Sequence, residues 1–185
     1  MQELSLNILD IAQNSVKAGA TKIIIAVAED TSADTLTIAI TDNGCGMTKE
    51  VVARVTDPFY TTRTTRRVGL GIPFFKMAAE MTGGSFEIKS EVGAGTSVLA
   101  VFGLSHIDRM PLGDMPETIC CLISCNPQIN FIYTYEVNGK SFTSSTNEFK
   151  EILGDVPLNI PQIMEFIKSY IKENTENLDG GILNT

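Results

Sequence analysis

Three short glycine-containing loops constrain the fold of this chain more than any other feature. They span residues 42–47, 69–71 and 93–96, and each stands where a predicted helix or strand begins, ends or turns. Glycine lets a backbone approach a ligand closely, and a glycine-rich helix N-terminus offers free N–H groups to a phosphate. We therefore expect the loops to meet around one ligand.

Hydrophobic periodicity predicts an α+β arrangement around these loops. Apolar residues recur at helical spacing early in the chain, and alternating runs in the first half predict two antiparallel hairpins. The elements expected here are helices at 3–18, after Thr48 and at 69–81, and strands at 22–28, 35–41 and on both sides of the 93–96 turn.

The composition changes at residues 105–116, where prolines and a glycine interrupt regular structure. We place a boundary there, between a first domain at 1–104 and a small α+β domain at 105–185. The pattern in the second domain predicts strands at 118–124 and 129–137, a tight turn at Asn138-Gly139, a helix ending at Leu153, a helix at 161–172 and a frayed tail.

Charge and hydropathy argue against several functional classes. The 14 Lys+Arg and 22 Asp+Glu residues give a formal net charge of −8, so a sequence-independent hold on nucleic acid or an anionic membrane is not expected. No stretch has the roughly 20 apolar residues of a transmembrane helix, and the N-terminus carries acids where a signal peptide carries cations. We expect a cytoplasmic protein with no nucleic-acid or membrane partner.

The four cysteines are expected to be thiols rather than disulfides. Cys120, Cys121 and Cys125 lie in an apolar run predicted as a buried strand, and they are one ligand short of a four-cysteine zinc or iron–sulfur site. Burial as structural thiols is the favoured interpretation, and a metal or redox site in the second domain is the alternative. Cys45 lies in the first glycine loop.

The side chains around the glycine loops suit a purine nucleotide. Asp42 ends a strand and can accept a hydrogen bond from the amino group of a base, while Met47 and Ile72 supply apolar surface for its ring. Three arginines precede the loop at 69–71, so this loop is the favoured anion-binding site. They are Arg63, Arg66 and Arg67.

The first predicted helix adds groups suited to metal chemistry. Asp10 and Asn14 are one turn apart and point the same way. Mg²⁺ takes hard oxygen ligands beside waters and substrate phosphates, which suits Asn14 as a direct ligand. Asp10 can then orient or deprotonate the attacking nucleophile, and Lys17 can reach a phosphate.

These motifs resemble the four boxes of the GHKL ATPases, a family that includes gyrase, the histidine kinases, the anti-sigma serine kinases and mismatch-repair MutL. DIAQNSVKAGA resembles the N box, and DNGCGM is similar to the first glycine box. DPFYTTR and VGLGIPFFKMAAEMTGGSFEIKSEVGAGTSV look like a histidine kinase from the lid to the last box. The resemblance covers about residues 1–104, with the boxes in family order.

The resemblance implies a two-layer α/β sandwich of the Bergerat type. A mixed, mainly antiparallel sheet then carries helices on one face, and ATP with Mg²⁺ lies between the helices and the lid. Asn14 takes the metal-ligand position, Asp42 binds the adenine amine, and Asp10 takes the position of the catalytic base. The residues carried over as ATP-binding are Asn14, Lys17, Asp42, Gly44, Gly46, Met47, Tyr60, Thr61, Thr62, Arg63, Arg67, Gly69, Leu70, Gly71, Ile72 and Thr96.

Asp10 departs from the pattern of most MutL-like members, which have Glu as the base. Its side chain is one methylene shorter, and a displacement of that size matters for catalysis. We expect slow hydrolysis, or hydrolysis that needs a partner. The lid between Asp57 and Gly69 is also short, so we expect it to close weakly unless a partner orders it.

The segment SHIDRMPL, at residues 105–112, is similar to the phosphoacceptor box of histidine kinases, with His106 as the acceptor. In that family the acceptor lies on a dimerising helix before the ATPase domain, whereas this chain opens directly on the N box. Pro111 and Gly113 also interrupt a long helix. The histidine is therefore expected to pack between the domains.

The predicted function is that of an ATP-dependent kinase or nucleotide-dependent switch in signal transduction. It acts on a protein partner in trans, as the anti-sigma kinases do. The alternatives left open are a non-catalytic, ATP-gated binding module, an ATPase of the MutL or gyrase kind, and self-phosphorylation on His106. A homodimer is compatible with each.

Overall fold

The structure, a computed structural model, describes residues 3–57 and 70–179. Within these ranges the chain forms six helices and six strands. In chain order they are α1 (Leu4–Lys17), β1 (Lys22–Asp30), β2 (Thr35–Asp42), α2 (Lys49–Val55), α3 (Gly71–Met81), β3 (Ser85–Glu91), β4 (Gly95–Gly103), α4 (Met115–Cys125), β5 (Asn130–Val137), β6 (Lys140–Ser145), α5 (Thr146–Leu153) and α6 (Pro161–Asp179).

The strands form one sheet in the order β3-β4-β2-β1-β5-β6. β1 runs parallel to β5, with Ile23 opposite Phe131, and every other neighbouring pair is antiparallel. The parallel pairing joins the two halves of the sequence, because β5 and β6 extend the sheet that β1 to β4 begin. The sheet therefore crosses the boundary predicted at residue 104.

The strands bury alternate residues on one face, where helices α1, α3, α4 and α6 pack. Residues on the other face, such as Ala26, Ala39 and Thr134, stay partly exposed. The predicted sandwich of a mainly antiparallel sheet with helices on one face is thus confirmed. Its buried strand residues include Ile23, Ile25, Val27, Leu36, Ile38, Ile40, Val98, Ala100, Phe102, Phe131, Tyr133 and Tyr135.

Helix α4 contradicts the strand predicted at 118–124. Asp114 caps the helix by accepting a hydrogen bond from the Glu117 N–H at 2.8 Å, and Pro116 lies in the first turn, where a missing N–H costs nothing. The buried residues then recur at helical spacing, at Met115, Thr118, Ile119, Leu122 and Ile123.

The expectation that the three cysteines of this run are all buried is also wrong. Cys120 is buried, Cys121 is half-buried and Cys125 is exposed. A helix distributes successive residues around its axis, so only part of the run can face the core.

The tail predicted to fray is helical for longer than the pattern indicated, because α6 continues to Asp179. The Asn174 side chain donates to the Tyr170 carbonyl at 2.8 Å, and the Thr175 hydroxyl donates to the Ile171 carbonyl at 2.9 Å. Leu178 still packs on the core near the end of the helix.

The loop before α4 holds the start of α1. The N–H groups of Leu4 and Ser5 donate to the carbonyls of Pro111 and Leu112 at 3.0 and 2.8 Å. The first N–H groups of a helix have no partner inside it, so these bonds satisfy donors that would otherwise need water. At its other end, α1 is followed by Gly19 at φ +75°, a common helix C-terminal geometry.

None of the helices within residues 3–57 and 70–179 has the length and apolar character needed to span a membrane.

Candidate nucleotide-binding site

A cavity of about 270 Å³ opens between α1, the sheet and the start of α3. Its walls are mostly apolar, and the charged side chains among its described lining residues are Asp42 and Lys17. Apolar walls with a few fixed polar groups are typical of small-molecule sites. The described lining residues are Ile11, Asn14, Ser15, Lys17, Ala18, Ile40, Asp42, Cys45, Gly46, Met47, Val55, Ile72, Thr96 and Val98.

The carboxylate of Asp42 is fixed by two donors. The hydroxyl of Ser15 donates to Oδ2 at 2.5 Å, and the N–H of Gly44 donates to Oδ1 at 2.8 Å. Ser15 is only 4% exposed, so its hydroxyl has little water to bind instead. The carboxylate therefore keeps one orientation at the end of β2, as an acceptor toward the cavity.

Two glycines let the loops after β2 and β3 approach each other. Gly46 has φ +68°, and a Cβ there would collide with the Glu91 carbonyl. Gly95 has φ +118°, and a Cβ there would collide with the carbonyl of Asp42. Both positions need glycine for backbone angle and for space.

A small hydrogen-bond network joins the first glycine loop to the β3–β4 hairpin. The Ser90 hydroxyl accepts from the Met47 N–H at 2.8 Å and lies 2.8 Å from the Thr96 hydroxyl. Met47 and Thr96 both line the cavity. Ser90 does not line it, but it fixes the two residues that do.

Helix α1 presents Asn14, Ser15 and Lys17 to the cavity in its last turn. Asn14 supplies an amide oxygen, and Lys17 supplies a cation at the same rim. This donor set fits a Mg²⁺-bound phosphate chain, because Mg²⁺ takes a few protein oxygens and completes its shell with waters and phosphates.

Asp10 lies beside the cavity rather than in its wall. Its side chain faces the N-terminus of α3, where a Cβ on Gly71 would stand 3.0 Å from the Asp10 Cβ. Gly71 thus lets α1 and α3 pack closely at this point. No side chain among the described residues caps α3, and Leu70 at its N-cap is exposed. An uncapped helix N-terminus favours an anion.

The predicted site residues fall into three groups. Those brought to the cavity wall are Asn14, Lys17, Asp42, Gly46, Met47, Ile72 and Thr96. Those placed next to it are Asp10, Gly44, Leu70 and Gly71. Those outside the described residues are Tyr60, Thr61, Thr62, Arg63, Arg66, Arg67 and Gly69, together with most of the lid.

Sequence reasoning missed Ser15 and the part of the apolar wall that lies beyond Met47 and Ile72. Ser15 directly follows Asn14, and its role depends on a contact with Asp42, 27 residues further along the chain. Ile11, Ile40 and Val98 belong to the ordinary core pattern, so periodicity did not separate them as ligand-facing. Cys45 lines the cavity and is exposed.

His106 is exposed, so the expectation that it packs between the domains is wrong, and it lies far from this cavity along α3. It is adjacent to Gly103, whose N–H donates to the Thr82 hydroxyl at the C-terminal end of α3. Asp10 stands at the other end of the same helix. Since α3 has 11 residues, the two ends are about 16 Å apart.

Comparisons with known proteins identify the family of this chain. The family model "Histidine kinase-, DNA gyrase B-, and HSP90-like ATPase" matches residues 1–106. A putative sensor protein of Shewanella frigidimarina is 33% identical over 109 residues, 58% of this chain and 17% of that protein. Sensor protein SrrB of Staphylococcus aureus is 36% identical over 104 residues, 54% of this chain and 17% of that protein. The match therefore spans about a sixth of the length of these relatives.

Among solved structures, the ATPase domain of Aquifex aeolicus MutL complexed with ADP matches with a TM-score of 0.50 at 18% identity. The likeness covers 83% of this chain and 69% of that chain, so it includes elements beyond residue 106. It concerns the fold, whereas the family model also matches the sequence of the cavity-forming boxes. The chain belongs to the family of histidine kinase-, DNA gyrase B- and HSP90-like ATPases.

Proposed function

We propose that this protein binds ATP with Mg²⁺ in the cavity between α1 and the sheet, and that it acts as a kinase or nucleotide-dependent switch on a protein partner in trans. The observation that carries the proposal is the Asp42 carboxylate, held by Ser15 and Gly44 at the wall of an apolar cavity. A fixed acceptor beside apolar walls suits the amino group and ring of adenine.

The polyphosphate end of the nucleotide then lies toward the rim formed by α1 and the start of α3. The N-terminus of α3, which no side chain of the described residues caps, offers backbone N–H groups and the positive end of its dipole. Lys17 adds a positive charge at the rim, and Asn14 is the residue that would hold Mg²⁺. The metal would neutralise charge on the phosphates when bound.

Asp10 is the group we assign to orient or deprotonate a nucleophile. It is exposed, lies against Gly71 and stands one helical turn from Asn14. A phosphoryl acceptor therefore approaches from the solvent side, where Asp10 is accessible. The position of His106 at the far end of α3 supports an acceptor on a partner rather than on the same chain.

Binding is tested by calorimetric titration of the full chain with a non-hydrolysable ATP analogue, with and without Mg²⁺. We expect Asp42→Asn to weaken binding about tenfold or more under both conditions, because it removes a charged acceptor. Asn14→Ala should remove the increment that Mg²⁺ adds and leave the metal-free affinity unchanged. Gln13→Ala, on an exposed part of α1, is the matched control. The proposal fails if the wild-type chain does not bind the analogue and Asn14→Ala changes nothing.

Turnover is tested with labelled ATP, alone and with captured partners. Label on a partner supports a kinase acting in trans, and tight binding without label or release supports a nucleotide-gated switch. Released phosphate without label would reassign the protein as an ATPase. Label on the chain itself, lost in His106→Gln, would overturn action in trans.

A further inference from the structure

Helix α4 carries a second group of reactive side chains, outside the nucleotide cavity. Cys121 and Cys125 are four residues apart, so they lie one turn apart on the same side of the helix. Cys125 is exposed and Cys121 half-buried, whereas Cys120 faces the core. The proposed ATP site uses none of these residues.

The two thiols of this pair differ in environment from Cys120. Burial raises the pKa of Cys121, and the neighbouring thiol of Cys125 raises it further. Cys120 faces the core, where burial raises the pKa of its thiol to about 12 and leaves it inaccessible to a ligand from solvent. The pair Cys121 and Cys125 is therefore the accessible sulfur group of α4.

An intact helix does not suit a disulfide between these residues. Side chains one turn apart have Cβ atoms about 5–6 Å from each other, whereas a disulfide needs about 3.5–4.5 Å. A linear sulfur–metal–sulfur unit with bonds of about 2.3 Å spans about 4.6 Å between its sulfurs. A bridging metal ion therefore fits the helix with less distortion than a direct sulfur–sulfur bond.

Among the residues that the structure describes, the neighbouring groups do not supply a third ligand. Glu117 lies one turn before Cys121, but its carboxylate is paired with Lys168 at 2.6 Å. Within residues 3–57 and 70–179, no cluster of three histidine, cysteine or acidic side chains has the geometry to hold a metal ion. Two sulfurs alone suit a soft ion that accepts two ligands, and they do not suit Zn²⁺, which takes four.

We propose that Cys121 and Cys125 form a two-sulfur site for a soft monovalent metal ion of the copper(I) class. Binding forms two metal–sulfur bonds, releases the two thiol protons to solvent and leaves the oxidation state of the metal unchanged. This site does not depend on the proposed ATP binding. It would give the C-terminal half of the chain a metal-binding function of its own.

The site is tested by anaerobic titration of a coloured copper(I)–chelator complex with the full chain. We expect the wild-type chain to withdraw one copper(I) ion through this pair. Cys121→Ser and Cys125→Ser should each lower the affinity at least tenfold, while Cys120→Ser and Cys45→Ser should retain it. Far-ultraviolet circular dichroism of each variant checks that the helices are intact.

Two results would overturn the proposal. One is a copper(I) affinity that stays within threefold of wild type in both Cys121→Ser and Cys125→Ser. The other is a stoichiometric Cys121–Cys125 disulfide, formed under a mild thiol oxidant and mapped by mass spectrometry, with the helical signal unchanged. A chain that resists this oxidation while helical, yet binds copper(I) through both thiols, supports it.

Discussion

Ser15 controls the orientation of the acceptor on which the proposed base recognition depends. Its buried hydroxyl holds one oxygen of Asp42, and the Gly44 N–H holds the other. Without the hydroxyl, the carboxylate has one donor fewer and rotates more freely. A hydrogen bond to a charged group contributes about 1.5–3 kcal/mol, which corresponds to roughly tenfold or more in affinity.

We therefore expect Ser15→Ala to weaken ATP-analogue binding about tenfold, measured by calorimetry. Ser5→Ala is the matched control, because Ser5 is also buried on α1 but lies at the other end of the helix. It should leave the affinity unchanged. An affinity of Ser15→Ala within twofold of wild type would show that Gly44 alone holds Asp42.

The contrast between Asp42 and Ser15 shows how far sequence reasoning reaches at the scale of one residue. Asp42 stands in a recognisable glycine loop, and Asn14 in a recognisable helix box. Ser15 has no local signature, because a buried serine and an ordinary helix-face serine look alike in sequence. Its role arises from a contact with a residue 27 positions away, which only the folded chain brings close.

At the scale of the element, the capping of α4 is accessible to a direct test. Asp114→Ala removes the acceptor for the Glu117 N–H at the helix start. We expect the free energy of unfolding to fall by about 1 kcal/mol in urea denaturation, which is typical for loss of an N-cap. Asp155→Ala removes an exposed carboxylate after α5 and is the control. It should lower the free energy of unfolding by less than half the amount that Asp114→Ala does. Equal effects in the two variants would mean that the cap contributes nothing specific.

The same helix shows why an element can be assigned to the wrong class. Residues 119–123 are apolar without interruption, so strand and helix periods fit them equally well. The signals that distinguish a helix from a strand here are the N-cap at Asp114 and the proline at position 116, both of which precede the apolar run. In contrast, the hairpin turn at Asn138-Gly139 was predictable, because Asn-Gly is the dipeptide that tight hairpin turns prefer. In the structure both residues adopt the positive φ that such a turn requires.

At the scale of the whole molecule, the C-terminal half completes the structure around α1. β5 pairs with β1, α4 packs on α1, and the loop carbonyls of Pro111 and Leu112 receive the first N–H groups of α1. The helix that carries Asp10 and Asn14 is thus held from both halves. Local periodicity did not reveal this, because it predicts strands but not their partners.

A chain ending at residue 112 should therefore lose solubility and cooperative unfolding, because it exposes one edge of β1 and a buried side of α1. Size-exclusion chromatography and amide hydrogen exchange in β1 would measure the effect. A chain ending at Asp179 keeps every described element and is the control. A monodisperse, cooperatively unfolding fragment would contradict this expectation and support the independent first domain predicted at 1–104.

The parallel pairing of β1 with β5 also determines when β1 can be fully paired during translation. The partner of β1 on that side is encoded more than 100 residues later. At about 5–20 residues per second, the ribosome needs about 5–20 s to supply it. During that interval the nascent chain can form the β1–β2 hairpin, yet the outer N–H and C=O groups of β1 have no strand to meet. The order of translation therefore leaves this edge of β1 unpaired until β5 has been synthesised, and the sheet is complete only when β5 and β6 have both left the ribosome.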